Sequence, residues 1–165
     1  MQRIDTEAAK RRQLAPSLFW DDFAVGTVRE SHPPGDGYTF SAQAIVDFAS
    51  QFDPQYFHLD AELAKQSLFG GLCASGWHTA SVTMRLMCEG WNLDTASLGS
   101  PGLEGLKWLK PVLVGDTIRV RLEVIGTRPM ASREDVGLVH SLWTTFNQHG
   151  DTVMSMSGWA MIRKR

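Results

Sequence analysis

The period of the hydrophobic positions changes along the chain, and each change marks a different kind of element. Between Ser41 and Asp53 the apolar residues Ile45, Phe48, Ala49 and Phe52 fall at i, i+3, i+4 and i+7, which predicts an amphipathic helix. Ser41 is placed to cap its first turn. Pro54 stops it, because helical geometry is disfavoured in the residue before a proline. Gln55-Tyr56-Phe57-His58 then reads as a turn, and Asp60 begins a second short helix that reaches Gln66. From Gly71 to Trp91 apolar groups, among them Leu72, Trp77, Val82, Met84, Leu86 and Met87, surround most of a helical circumference, so this long helix is expected to be buried. Arg85 and Glu89, one turn apart, mark the end that reaches solvent.

Beyond Gly99 the period becomes two. Ile118, Val120, Leu122 and Val124 alternate with Thr117, Arg119, Arg121 and Glu123, the pattern of a strand with one dry and one wet face. Val136 to Phe146 and Thr152 to Ile162 read as two more strands around the hairpin turn Asn147 to Asp151, where Gly150 supplies the positive φ. Leu103 to Lys110 is a further strand closed by Pro111, and Phe23 to Val28 gives a short strand signal ahead of a loop at Ser31 to Gly37. The expected architecture is α+β, a four-stranded antiparallel sheet wrapped around one central helix. Residues 1–18, charged and rich in Ala and Gln, are expected to be an N-terminal arm, mobile or lying as a short helix on a neighbour, and residues 19–165 a single domain.

Composition narrows the function classes. In 165 residues, 43% hydrophobic, there is room for one self-sufficient core. Sixteen basic against eighteen acidic side chains give a net charge of -2, so no electrostatic footprint for nucleic acid or an anionic membrane exists. No run of about 18 apolar residues occurs, and the opening MQRIDTEAAKRRQ carries no apolar stretch behind its charges, so a cytoplasmic protein is expected. Cys73 and Cys88 lie roughly 22 Å apart if the stretch between them is helical, too far for a disulfide. They read as free thiols in a reducing compartment.

The chain holds no phosphate-binding glycine loop, no paired Cys-x-x-Cys and no nucleophile elbow. Its polar chemistry concentrates elsewhere. Asp53, Gln55 and His58 follow the amphipathic helix, and Gly70, Gly71, Ser75 and Gly76 lead into the buried one. An aspartate and a histidine five residues apart, on a turn stiffened by Pro54, can hold one water between them as a general acid and base. The bland alternative is a helix-ending aspartate and a histidine bound to a backbone carbonyl. Glycines let a substrate approach the backbone, and free N–H groups in a helix's first turn can stabilise an enolate-like oxygen; tight helix packing explains the same glycines. His78 has too few converging donors around it for a metal site, and none is expected.

The runs FDPQYFHLD (Phe52 to Asp60) and FGGLCASGWH (Phe69 to His78) together resemble the hydratase 2 motif of the MaoC-like dehydratases, the (R)-specific enoyl-CoA hydratase group of the hotdog fold. FWDDFAVGT (Phe19 to Thr27) resembles that family's opening strand, and LKWLKPV through GDTI (Leu106 to Ile118) its later strand-turn-strand signature. The resemblance implies a hotdog domain with a long central helix from about Ser75 to Gly90, assembled as a homodimer or a dimer of dimers. It implies catalytic roles for Asp53 and His58 and an oxyanion-hole amide at Gly76. Gln55, Gly71, Ser75 and Trp77 are the candidate substrate contacts. Gln55 and Tyr56 stand where the family has asparagine and proline, a departure that leaves the dyad intact. The implied reaction is hydration of an enoyl-CoA or dehydration of a 3-hydroxyacyl-CoA, with the acyl-CoA thioester as substrate and no further cofactor. A hotdog thioesterase and a non-catalytic acyl-CoA-binding subunit are the rival readings. Arg85, Lys107, Lys110 and Arg128 are candidates for the coenzyme A phosphates, and Trp77, Trp91, Met84 and Met87 for narrowing the acyl tunnel.

Overall fold

The computed structural model describes residues 4–165. Its centre is a helix, α5 (Gly76–Gly90), lying on a seven-stranded antiparallel sheet. The sheet is built on three long strands, β5 (Thr117–Met130), β6 (Arg133–Phe146) and β7 (Thr152–Arg163), joined by hairpins. β1 (Val28–Glu30) and β2 (Tyr38–Thr39) pair with β5, and β3 (Ser97–Gly99) and β4 (Leu103–Trp108) pair with β7.

The period-two alternation decides which face meets the helix. Ile118, Val120, Leu122 and Val124 of β5, with Val139 and Trp143 of β6 and Met154 and Met156 of β7, form one buried core with Val82, Leu86, Met87 and Trp91. Each such side chain contributes about 1.5–3 kcal/mol when removed from water, which gives the helix its place. Between β6 and β7 the chain turns as expected. Asn147 accepts from the backbone N–H groups of His149 and Asp151 at 3.0 and 2.9 Å, and Gly150 takes φ +83°.

Among the described residues four α-helices precede α5. Ser41 caps α2 (Ala42–Phe52) through its bond from the Ala44 N–H at 3.2 Å, and the helix stops at Asp53. The expected turn at 55–58 winds into a single helical turn, α3 (Tyr56–Leu59), and Asp60 caps α4 (Ala61–Lys65). Near the amino end α1 (Thr6–Leu14) has no buried residue, but Arg12 fixes it to the same chain. Its guanidinium donates twice to Asp94, both at 2.7 Å, and once to the Glu89 carbonyl at 3.1 Å.

Three expectations need correction. Phe23 to Val28 is not a strand: Phe23 enters the core, Gly26 turns the chain at φ +87°, and Thr27 N–H closes the turn onto Ala24, so pairing begins only at Val28. The long helix does not begin at Gly71. Ala74 N–H donates to Val112 and Val114 N–H to Leu72, which holds this stretch extended until Ser75 caps the helix at Gly76. Nor is α5 covered all round, since Trp77 is 59% and Met84 43% exposed. Arg85 and Glu89 form an ion pair at 2.9 Å near its carboxyl end. Cys73 and Cys88 are free thiols. Among the described residues no helix is long and apolar enough to cross a membrane.

Candidate active site

Asp53 and His58 come together at the amino end of α5. Asp53 is the residue on which α2 ends, its N–H bonded to the Ala49 carbonyl at 2.9 Å, so its side chain leaves the helix at a fixed angle. His58 is carried by α3 and is buried. Its Nδ1 lies 2.7 Å from the Cys73 carbonyl oxygen. A carbonyl can only accept, so Nδ1 bears the hydrogen, and in the neutral ring Nε2 keeps its lone pair. That Nε2 stands 3.5 Å from Oδ2 of Asp53. The histidine is therefore carbonyl-bound, as the bland alternative had it, and that bond orients the ring toward the aspartate.

The carboxylate is itself held. Ser75 Oγ donates to Oδ2 at 2.6 Å and Gln55 Nε2 to Oδ1 at 2.7 Å. The Ser75 bond, above all, holds Asp53 below the usual carboxylate pKa; Gln55 and the nearby His58 act the same way, and partial burial opposes them. The ionised Asp53 carboxylate and Nε2 of His58 thus face one another in the cleft.

Gly76 is the first residue of α5, so its N–H has no intrahelical acceptor. The Trp108 indole lies across it. Nε1 of Trp108 donates to the Gly76 carbonyl at 2.9 Å, and a Cβ on residue 76 would come within 2.5 Å of the indole ring. The glycine thus admits Trp108 against the backbone. The cleft around these groups measures about 450 Å³ and is lined by Asp53, Gln55, His58, Ser75, Gly76 and Trp77 on one side. Phe57, Phe69, Trp108, Leu109 and Val112 give it apolar walls. Cys73 also lines it, but burial pushes its thiol up to about 11, which leaves it protonated and a poor nucleophile.

Of the residues singled out from sequence, Asp53, Gln55, His58, Ser75, Gly76 and Trp77 meet in this cleft, and Gly71 does not line it. Among the basic candidates Lys110 alone reaches the cleft, paired with Asp151 at 2.8 Å; Arg85 lines a groove between α2 and α5, and Arg128 sits over the Trp159 ring. Met84, Met87 and Trp91 line a second cavity of about 250 Å³. Sequence reasoning did not foresee Trp108 as a cleft residue or the Cys73 carbonyl as the histidine's anchor. His78 has no ligand-like surroundings. Its ring is stacked on Phe48 at 4.6 Å and meets Phe40 edge-on.

An antiparallel sheet packed on one long helix defines a hotdog domain, and the Asp/His pair stands at that helix's amino end. The chain belongs to the MaoC-like domain family, whose pattern matches residues 25–144. It is similar to the crystal structure of the MaoC-like dehydratase from Rhodospirillum rubrum, at 40% identity and a TM-score of 0.82, covering 90% of this chain and 99% of that one. It is 30% identical to the uncharacterized protein YdeM of Bacillus subtilis over 128 residues, 78% of this chain and 86% of the other. The R-hydratase PhaJ1 of Pseudomonas aeruginosa shares the fold, with a TM-score of 0.71 at 21% identity over 90% of this chain and 87% of its own.

Proposed function

We propose that the protein hydrates a trans-2-enoyl thioester of coenzyme A, and runs the reverse dehydration of the 3-hydroxyacyl thioester, in the cytoplasm. The observation that carries this reading is the pair of acceptors, Asp53 Oδ2 and His58 Nε2, standing 3.5 Å apart in the cleft beside the Gly76 amide. The water they hold offers its oxygen lone pair to C3 of the substrate. As the C3–O bond forms, the pair takes one proton from the water, the C2–C3 π electrons move toward the thioester, and negative charge collects on its oxygen. The Gly76 N–H, at the positive end of α5, donates to that oxygen. The pair then returns the proton to C2. One water is consumed, and its hydroxyl and hydrogen arrive from the same face.

Membership in the MaoC-like family supports the reaction class. By likeness to the R-hydratase fold the product is the (R)-3-hydroxyacyl thioester. The exposed faces of Trp77 and Met84 support a homodimer that covers them, which sedimentation at micromolar concentration reads directly. The activity test is loss of the enoyl absorbance on addition of protein to crotonyl-CoA and to branched or dicarboxylic enoyl-CoA esters. Turnover without release of free thiol is the expected result. Thiol release with the C2=C3 double bond intact would mean a thioesterase, and tight binding without either change would mean an acyl-CoA-binding subunit.

A further inference from the structure

Two cavities lie along the same side of α5, and a buried hydrogen bond crosses between helix and sheet in the space that separates them. Thr79 lines the dyad cleft, and Met87, eight residues along the helix, lines the second cavity. Thr83 is midway between them at i+4 and so shares their face. Its hydroxyl meets that of Thr145 on β6 at 3.1 Å, and both residues are 0% exposed.

The sheet repeats this order. Met154 of β7 pairs with Trp108 on one side and with Thr145 on the other, forming a row of three residues. The next row on that face is Trp143 paired with Met156, and both line the second cavity. Trp108 lines the cleft, while Thr83, Thr145 and Met154 line neither space. Met154 is also 0% exposed. The helix therefore places Thr83, and the sheet Thr145 and Met154, at the same boundary.

We propose that Thr83, Thr145 and Met154 form the end wall of the acyl site, so that the substrate is a short-chain enoyl thioester of about six carbons or fewer. The inference rests on the hydratase reading. From Gly76, where the thioester oxygen is held, the helix rises roughly 10 Å to Thr83. An extended acyl chain fills that length and then meets the hydroxyl pair. One hydroxyl of the pair donates to the other, so the contact ties helix to sheet where the chain would end. Beyond the wall, the second cavity is lined by Met84, Met87 and Trp91 and stands as unused apolar space.

The test compares rates on enoyl-CoA esters from crotonyl-CoA to decenoyl-CoA. In the wild type kcat/KM is expected to fall on the order of 10²-fold between the hexenoyl and decenoyl esters. Replacing both threonines with alanine, Thr83→Ala with Thr145→Ala, removes the wall's bulk and raises the decenoyl-to-crotonyl ratio on the order of 10-fold. The isosteric pair Thr83→Val with Thr145→Val keeps the bulk and leaves the ratio at its wild-type value. Calorimetry on the wild type gives an arm that needs no variant: butyryl-CoA binds more tightly than decanoyl-CoA. Equal rates on short and long esters, equal binding of the two saturated esters, or an unchanged ratio in a folded alanine variant each overturn the wall. If no enoyl ester is hydrated, the hydratase reading fails, and the calorimetry still decides whether the wall excludes long chains.

Discussion

Ser75 donates a 2.6 Å hydrogen bond to Asp53 while the same oxygen accepts the Trp77 N–H at 3.2 Å. One hydroxyl thus caps the central helix and orients the carboxylate of the dyad, and it is the main reason that carboxylate stays ionised below the usual range. Ser75→Ala should cost about 1 kcal/mol as a lost cap. It should also let the Asp53 pKa rise, so the acid limb of the kcat/KM profile moves to higher pH. An acid limb that stays in place would remove Ser75 from control of the dyad.

Asp53→Asn and His58→Ala should each lower turnover on the order of 10²-fold or more. Their stabilities should separate. Asparagine keeps an oxygen for Ser75, whereas loss of the imidazole leaves the Cys73 carbonyl without the donor it has at 2.7 Å, at a cost of about 1–3 kcal/mol. Thermal melts read beside the rates check both halves, and wild-type turnover in either variant would exclude that residue from the reaction.

Gly76→Ala forces a Cβ against Trp108, at a cost of about 1–3 kcal/mol. The clash has a single partner. Adding Trp108→Ala should therefore return part of the stability lost at residue 76, giving a coupling of about 1 kcal/mol in a double-mutant cycle. Additive losses in chemical denaturation would mean that the indole does not press on the glycine.

His78 should make the fold acid-sensitive. Burial first, and its neighbour His58 second, lower its pKa to about 4, and no partner meets its Nδ1. The unfolded chain takes up this proton near pH 6.5 and the folded chain only near 4. Stability is thus fully present above pH 6.5 and is lost as pH falls toward 4, by about 3 kcal/mol. In His78→Phe, which preserves the stack on Phe48, melting temperature should depend less on pH in that window. An equally steep dependence in the variant would place the acid sensitivity elsewhere.

The parts of the site that could be read from sequence are those set by local rules. Pro54 and the helical period ending at Phe52 put Asp53 at a helix end, and the short turn that follows returns His58 to the same side. Ser75 was legible as a residue leading into the buried helix but not as its cap or as a partner of Asp53, because the bond to Asp53 spans 22 residues and exists only once α2 and α5 are packed. Trp108 looked like one more strand residue, and its bond to Gly76 spans 32 residues. The short strands β1, β2 and β3 have no alternation of their own to read; they are strands because β5 and β7 offer them an edge. At Phe23 to Val28 the apolar run suggested a strand, and Gly26 at positive φ broke it.

The dependence on β7 has a consequence for the order in which a ribosome delivers this domain. β3, β4 and β6 all take β7 as a pairing partner, and all three are synthesised before it. The helix α5 emerges earlier still, so the side of Val82, Leu86 and Met87 waits uncovered while the strands that will bury it are being made. β5 and β6 can close early as a hairpin of neighbours in sequence, but β3 and β4 have no strand to join until residues 152–163 arrive. A nascent chain stalled before β7 would expose that apolar side together with two unpaired strands and the open edge of β6, the condition in which chaperones and proteases compete for it.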